Sequence, residues 1–316
     1  MNQILDDPSA TKEHPSQKSR LIAVAQACLV TILWSSSWVI IKFGLEEIPP
    51  LIFAGLRYSI ASFILLMFIG ARRERRVTIK GRTRKWWIAL SVYGLIYITA
   101  TQGTQFLALK YLPAITFSLL LNLTPIIVLS MSIPWLKETP SLTEIFFILV
   151  GLVGVLIYFY PLDFIGISVI GLAIGILSLL ANSLSSIIGR AINRAQDTSP
   201  LVVTGVSMSI GALILLVLGF TTEVVTPLSL TSWLWVLWLA VLNTALAFTL
   251  WNKAMRDLRA IDTALINSTM MPQIILLSIA FLGEFPTVMG WIGLILLAIG
   301  ITAVQVFQTR KKNEQT

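Results

Sequence analysis

Residues 50–66 read PLIFAGLRYSIASFILL, and residues 200–216 read PLVVTGVSMSIGALILL. Eight of these 17 positions are identical: Pro50/Pro200, Leu51/Leu201, Gly55/Gly205, Ser59/Ser209, Ile60/Ile210, Ile64/Ile214, Leu65/Leu215 and Leu66/Leu216. Shared apolar composition alone does not produce that many matches. Arg57 in the first copy stands where the second has Ser207. The chain carries one segment twice and a charge in only one copy.

A second register, offset by 146, extends the repeat through Leu112/Leu258, Ala114/Ala260, Ile115/Ile261, Leu136/Leu282, Glu138/Glu284, Pro140/Pro286 and Gly154/Gly300. Two prolines inside the matching segments, Pro125 and Pro272, fall one position out of register.

Composition sets the environment of both copies. Of 316 residues, 56% are hydrophobic and 12% charged, against about a quarter charged in soluble domains. That excludes an ordinary soluble globule. A helix of about 20 apolar residues crosses the roughly 30 Å hydrocarbon core. Such runs recur at 21–43, 50–70, 86–109, 112–135, 142–160, 166–190, 199–220, 231–254, 260–282 and 286–308, ten in all, separated by turn signals such as EEIPP, KETPS and GEFP. The first run is longer than a signal-peptide core and has its Ala-x-Ala at its start, so it reads as a retained helix. Cys28, the single cysteine, is expected to be a small core residue of that helix.

The net charge of +8 follows topology rather than nucleic-acid binding. Basic residues crowd the N-terminal tail, the 71–85 connection, which holds eight, and the connections after the fourth, sixth, eighth and tenth runs. The alternate connections hold only Lys42 and Lys110. The positive-inside bias then places both termini in the cytoplasm. Five spans per copy is an odd number, so the second copy runs in the opposite sense. The loop charges invert with it, because the 221–231 connection, equivalent to 71–85, has no basic residue. The expected fold is an all-α integral membrane protein of ten transmembrane helices in two inverted five-helix repeats, 21–160 and 161–308, between a polar tail 1–20 and a basic tail 309–316. Inverted repeats of this kind build secondary transporters with a midplane site.

Each copy also ends in a common pattern: A-x-x-x-x-x-A, a mid-helix proline, a glutamate and a glycine-bearing last helix. These stretches are ALKYLPAITFSLLLNLTPIIVLSMSIPWLKETPSLTEIFFILVGLVG and AMRDLRAIDTALINSTMMPQIILLSIAFLGEFPTVMGWIGLILLAIG. The pattern resembles the EamA-like branch of the drug/metabolite transporter superfamily over residues 21–308. The resemblance implies transport of amino acids, other metabolites or toxic compounds, commonly outward. Phe147 departs from it, standing where the second copy has Gly293.

Polar residues inside the spans are costly to bury unless they find partners or a cavity. Tyr93, Tyr97, Thr101 and Gln105 recur every four residues and are expected along one helix face. Trp34, Ser37 and Trp38 on span 1, Asn122 on span 4, Asn182 on span 6, Asn243 and Trp251 on span 8 and Asn267 on span 9 complete the candidate substrate site. Interhelical glue explains any one of them, and a shared cavity explains the set. The aromatic members favour an amphipathic or aromatic metabolite. Asn122 lies three residues before Pro125, where a proline frees a backbone carbonyl. Trp86, Trp87, Trp233 and Trp235 read as interfacial anchors.

Arg57, Pro125, Glu138, Asp262, Pro272 and Glu284 are assigned structural or gating roles. Glu138 and Glu284 precede helix starts and are expected to serve the helices that follow them, and Asp262 is a cap or ion-pair partner of Arg259. Arg57 lies about 4.5 Å from the centre of span 2. It is assigned to holding helix-end carbonyls or an amide of the first copy, with a substrate carboxylate as the other use of its planar fork.

No HExxH, GxSxG or P-loop occurs, and the one histidine, His14, sits in the tail. An enzyme is therefore not expected, nor is a cofactor or metal. The expected partners are the lipid bilayer and a small-molecule substrate, without nucleic acid, and the oligomeric state is open, a monomer included. The reading is a bacterial inner-membrane secondary transporter working as an exporter. A non-transporting scaffold or sensor and a membrane-bound transferase are the alternatives.

Overall fold

The structure, a computed structural model, describes residues 17–71, 79–128, 141–160, 168–194, 198–225, 227–258 and 266–314. All regular structure among them is helical: α1 (Gln17–Gly44), α2 (Pro50–Gly70), α3 (Arg84–Gly94), α4 (Gly103–Tyr111), α5 (Ala114–Leu121), α6 (Leu142–Tyr158), α7 (Val169–Arg194), α8 (Pro200–Thr222), α9 (Leu230–Ala240), α10 (Ala247–Asp257), α11 (Met270–Leu282) and α12 (Val288–Glu314). Two π-helical stretches, Leu95–Gln102 and Val241–Leu246, join α3 to α4 and α9 to α10.

The helix starts follow from local chemistry. α2 and α8 open on Pro50 and Pro200, where the missing N–H is one the first turn does not use. Thr83 and Ser229 accept from the backbone N–H of Trp86 and Ser232 to cap α3 and α9. Ser141 and Glu144 form a reciprocal capping box at α6.

Among the described residues, five helices are long and apolar enough to cross a membrane: Leu21–Gly44, Pro50–Gly70, Val169–Gly189, Pro200–Thr222 and Leu230–Trp251. Four others, Ala114–Val128, Leu142–Tyr158, Ile266–Leu282 and Val288–Val304, are apolar but shorter. The third expected span is continuous helix from α3 through the π stretch to α4. Large apolar side chains such as Phe63, Met67 and Phe68 of α2 and Leu213, Val217 and Phe220 of α8 are exposed. Apolar surface of that extent belongs in lipid. Cys28 is exposed on α1, so it is not the core residue expected from the sequence.

The main core gathers Ile41, Phe53, Phe106, Leu109 and Phe117, all fully buried, with Trp38 and Met208. A second cluster ties Ile115 and Leu119 of α5 to Met271 and Ile275 of α11 and Leu297 of α12. α2 lies along α8, and α6 along α12. Both the α3–α8 and α6–α12 contacts bring backbones together. A Cβ on Gly94 would meet the carbonyl oxygen of Ser207, and one on Gly211 the carbonyl oxygen of Gly94. On the other pair, a Cβ on Gly154 would lie 2.7 Å from Gly293 O, and one on Gly300 2.6 Å from Phe147 O. Phe147 keeps this seam intact because its backbone faces Gly300 while its ring stacks on Phe307 at 5.8 Å.

Irregularities recur at the sequence offset of 146. The π stretches begin at Leu95 and Val241, 146 residues apart. Helix is interrupted at Asn122 and Leu123 and again at Thr269, which is Leu123 plus 146. The two copies share their distortions as well as their apolar runs.

Gly94→Val and Gly211→Val are expected to lower stability by about 1–3 kcal/mol or more through overpacking. Gly70→Ala, with no atom near its added Cβ, should stay within about 0.5 kcal/mol. Thermal unfolding in detergent distinguishes the two outcomes.

Candidate functional site

The second π stretch organises the middle of the bundle. Thr244 donates its hydroxyl to Leu239 O, five residues back, at 2.8 Å, which occupies a carbonyl the widened turn leaves available. The same Oγ1 accepts from Arg57 Nε at 3.0 Å. Arg57 is only 5% exposed, and its guanidinium carbon lies 5.1 Å from the Tyr58 ring centre and 5.9 Å from that of Phe106. Its hydrogen bond goes to the second sequence copy, not to a helix end or amide of the first, as expected from sequence. Span 2 is thus central, because its packing on α8 and α9 carries Arg57 inward.

Ser207, the counterpart of Arg57, is fully buried and donates to Val203 O at 2.7 Å on its own helix. Its backbone carbonyl lies against Gly94, leaving no room for a Cβ on that glycine.

Asn243, beside Thr244, donates its Nδ2 to Leu33 O, to Ser37 Oγ at 2.9 Å and to Ser36 Oγ at 3.1 Å. Leu33 O can only accept, which fixes the amide orientation and leaves the buried Oδ1 without a partner. Ser37 itself donates to Leu33 O at 3.2 Å. Trp38 is buried against Phe117 at 5.3 Å between ring centres. Trp34 packs on Phe248 at 5.6 Å and on Trp251 at 5.2 Å, a separate aromatic group.

The four-residue ladder of span 3 holds only to Tyr97. Tyr93 and Tyr97 stack at 5.2 Å with planes 4° apart. The π stretch then widens the turn, and i,i+4 spacing no longer describes one face. Thr101 is buried and donates to Ile96 O at 2.8 Å, whereas Gln102 accepts from Tyr58 Oη at 2.6 Å. Gln105 is half-buried further along, on α4.

At Pro125 the freed carbonyl is that of Leu121. Thr124 donates to it at 2.6 Å and accepts from Asn182 Nδ2 at 3.0 Å. Asn122 instead donates to Ser118 O at 2.8 Å within its own helix. In span 9, Pro272 is the third residue of α11 and marks a restart after the break at Thr269. Gln273 accepts from Ser35 at 3.0 Å and donates to Thr31 at 3.3 Å. Asn267 is exposed at the start of this segment, apart from the central group. Glu138 and Asp262 lie outside the described residues.

At the end of the bundle holding the 45–49 and 223–229 connections, three carboxylates join the first copy to the second. Glu284 accepts from Ala114 N at 2.9 Å and Ile115 N at 3.0 Å. It serves the start of α5, not the helix that follows it. Gly283, at φ +65°, supplies the left-handed turn that aims it there. Glu223 accepts from Leu51 N and Ile52 N, both at 3.0 Å, capping α2. Glu47 accepts from Ser229 and Ser232, each at 2.6 Å. These hydrogen bonds hold the Glu47 carboxyl below the usual carboxylate range. Lys42 donates to Leu112 O at 2.6 Å at the same end.

Sequence reading missed Tyr58, Gln102, Thr124, Thr244, Glu47 and Glu223. Each polar span residue among them adjoins or lies near one that was chosen, so adjacency was the available signal.

These features define a multi-pass, all-helical membrane protein with a polar interior. The chain belongs to the EamA-like transporter family, whose model matches residues 21–160 and 169–305. It is 29% identical over 213 residues to the uncharacterized transporter YvbV of Bacillus subtilis, covering 67% of this chain and 66% of that one. It is 26% identical over 292 residues to a probable amino-acid metabolite efflux pump of Salmonella typhimurium, covering 87% and 92% of the two chains. A crystal structure matches with a TM-score of 0.64 at 19% identity, over 92% of this chain and 99% of that one. That likeness concerns the fold alone.

Because its folded pKa is lowered, Glu47 contributes stability above the usual carboxylate range, and that contribution disappears as pH falls through the lowered value. Glu47→Gln should therefore unfold at lower temperature than the parent at neutral pH. The gap should close on acidification below that range, as read by thermal melts across pH.

Proposed function

We propose that the protein is a secondary transporter that exports a small organic metabolite, an amino acid or an amphipathic or aromatic compound, by alternating access. Residues 21–160 and 161–308 act as two five-span halves of opposite orientation, with tails 1–20 and 309–316 in the cytoplasm and the ten spans in a bacterial inner membrane. The observation that carries this reading is the polar interior shared by the halves: Arg57 to Thr244 and Asn243 to Ser37 meet midway along the bundle. Contacts between two such halves are the ones that must change when a midplane site opens first to one side and then to the other.

Glu47, Glu223 and Glu284 close the outer end in this reading. Outward release then requires their bonds across the halves to break. At the opposite end, Trp86 Nε1 donates to Thr198 at 3.2 Å. Export accords with the name of the Salmonella relative and with the direction common in the family.

Purified protein in liposomes should exchange a labelled amino acid or aromatic metabolite above protein-free controls. Movement of inorganic ions alone would overturn the reading. Orientation has its own test. In a Cys28→Ser background, Val224→Cys should react with an impermeant thiol reagent on spheroplasts, and Lys80→Cys only after lysis. The reverse pattern refutes the proposed topology.

A further inference from the structure

Among the described residues, buried Arg57 has no carboxylate partner. Its Nε reaches a neutral hydroxyl, and among the described residues its Nη nitrogens have neither a carboxylate nor another hydrogen-bond acceptor. The interior of every apolar run lacks Asp and Glu, the acids lying at run ends or in connections. Among the described residues no acidic side chain pairs with Arg57. A guanidinium buried without one is strongly disfavoured, and structural arginines in such places are held by acceptors on several of their five donors.

The neighbourhood suits a ligand acid. Tyr58 and Phe106 present their rings to the guanidinium and hold it without using its donors. Thr244 fixes Nε, which leaves the planar Nη pair for a two-point hydrogen bond to a carboxylate. Gln102 accepts from Tyr58, the residue next to Arg57, so its amide N–H groups remain free to donate. Tyr93 and Tyr97 extend the aromatic surface on the same helix.

We propose that Arg57 is the binding residue for a carboxylate on the transported molecule, and that this acid supplies the counter-charge the spans lack. The assignment rests on the transport reading above and narrows its substrate class to carboxylate-bearing, preferentially aromatic, metabolites. Thr244 is a positioning residue that acts through Arg57.

Binding and transport are measured separately so that each idea can fail alone. Full-length protein in nanodiscs is titrated with phenylacetate and phenylalanine, and with phenylacetamide and phenylalaninamide, following tryptophan fluorescence. The acids should bind at least about tenfold more tightly than the amides, the effect of a hydrogen bond to a charged partner. Arg57→Lys should remove most of that preference while leaving amide affinity unchanged, and Thr244→Val should weaken it in part. Equal affinity for acids and amides, or binding of neither, overturns the assignment. So does an Arg57→Lys protein that loses thermal stability and weakens all four probes alike, since that outcome makes Arg57 a structural lock. Should a mutant insensitive to this preference still exchange solutes in liposomes, the transport reading survives without the carboxylate subsite.

Discussion

A carbonyl released from its helix inside hydrocarbon must be given a donor, and much of this structure is arranged around that requirement. Thr124 supplies one to Leu121 where Pro125 removes an N–H, and Thr244 supplies one to Leu239 where the π stretch widens the turn. Each threonine oxygen then accepts from a second helix, Asn182 in one case and Arg57 in the other. A local backbone defect thereby becomes an interhelical link. Two of the polar links in the interior thus originate in distortions of the backbone.

The same economy of donors and acceptors governs the end of the bundle that holds Glu223 and Glu284. The first turns of α2 and α5 have free N–H groups and no side-chain cap of their own. Glu223 and Glu284, from distant parts of the sequence, complete them. A helix N-terminus carries partial positive charge, so the carboxylates are favoured there electrostatically as well. Contacts of this type are directional and reversible, unlike the continuous apolar packing of α2 on α8.

The apolar runs, the turn signals and the repeat were legible because each depends on residue type at short range or on direct identity. The capping box at Ser141 and Glu144 was legible for the same reason. Three features were not. The face of span 3 was misread beyond Tyr97, since a π turn leaves no mark in hydrophobic period. The partner of Glu284 was misread, because a cap can come from any chain segment that packs nearby. Arg57 was assigned a partner in the first copy, whereas its partner Thr244 is set by how α2 lies against α8 and α9. Of the candidate residues, Ser37, Asn243, Tyr93, Tyr97 and Trp38 were recoverable from composition of the spans. Thr244, the partner of Arg57, and the Tyr58–Gln102 pair required three dimensions.

The glycine seam between α6 and α12 has a mechanical consequence. Gly154 against Gly293 and Gly300 against Phe147 bring two backbones within contact, with no side chain between them to slide or change rotamer. Helices so joined translate and tilt as a single strut. Any rearrangement that parted α6 from α12 would have to break backbone contacts rather than repack side chains.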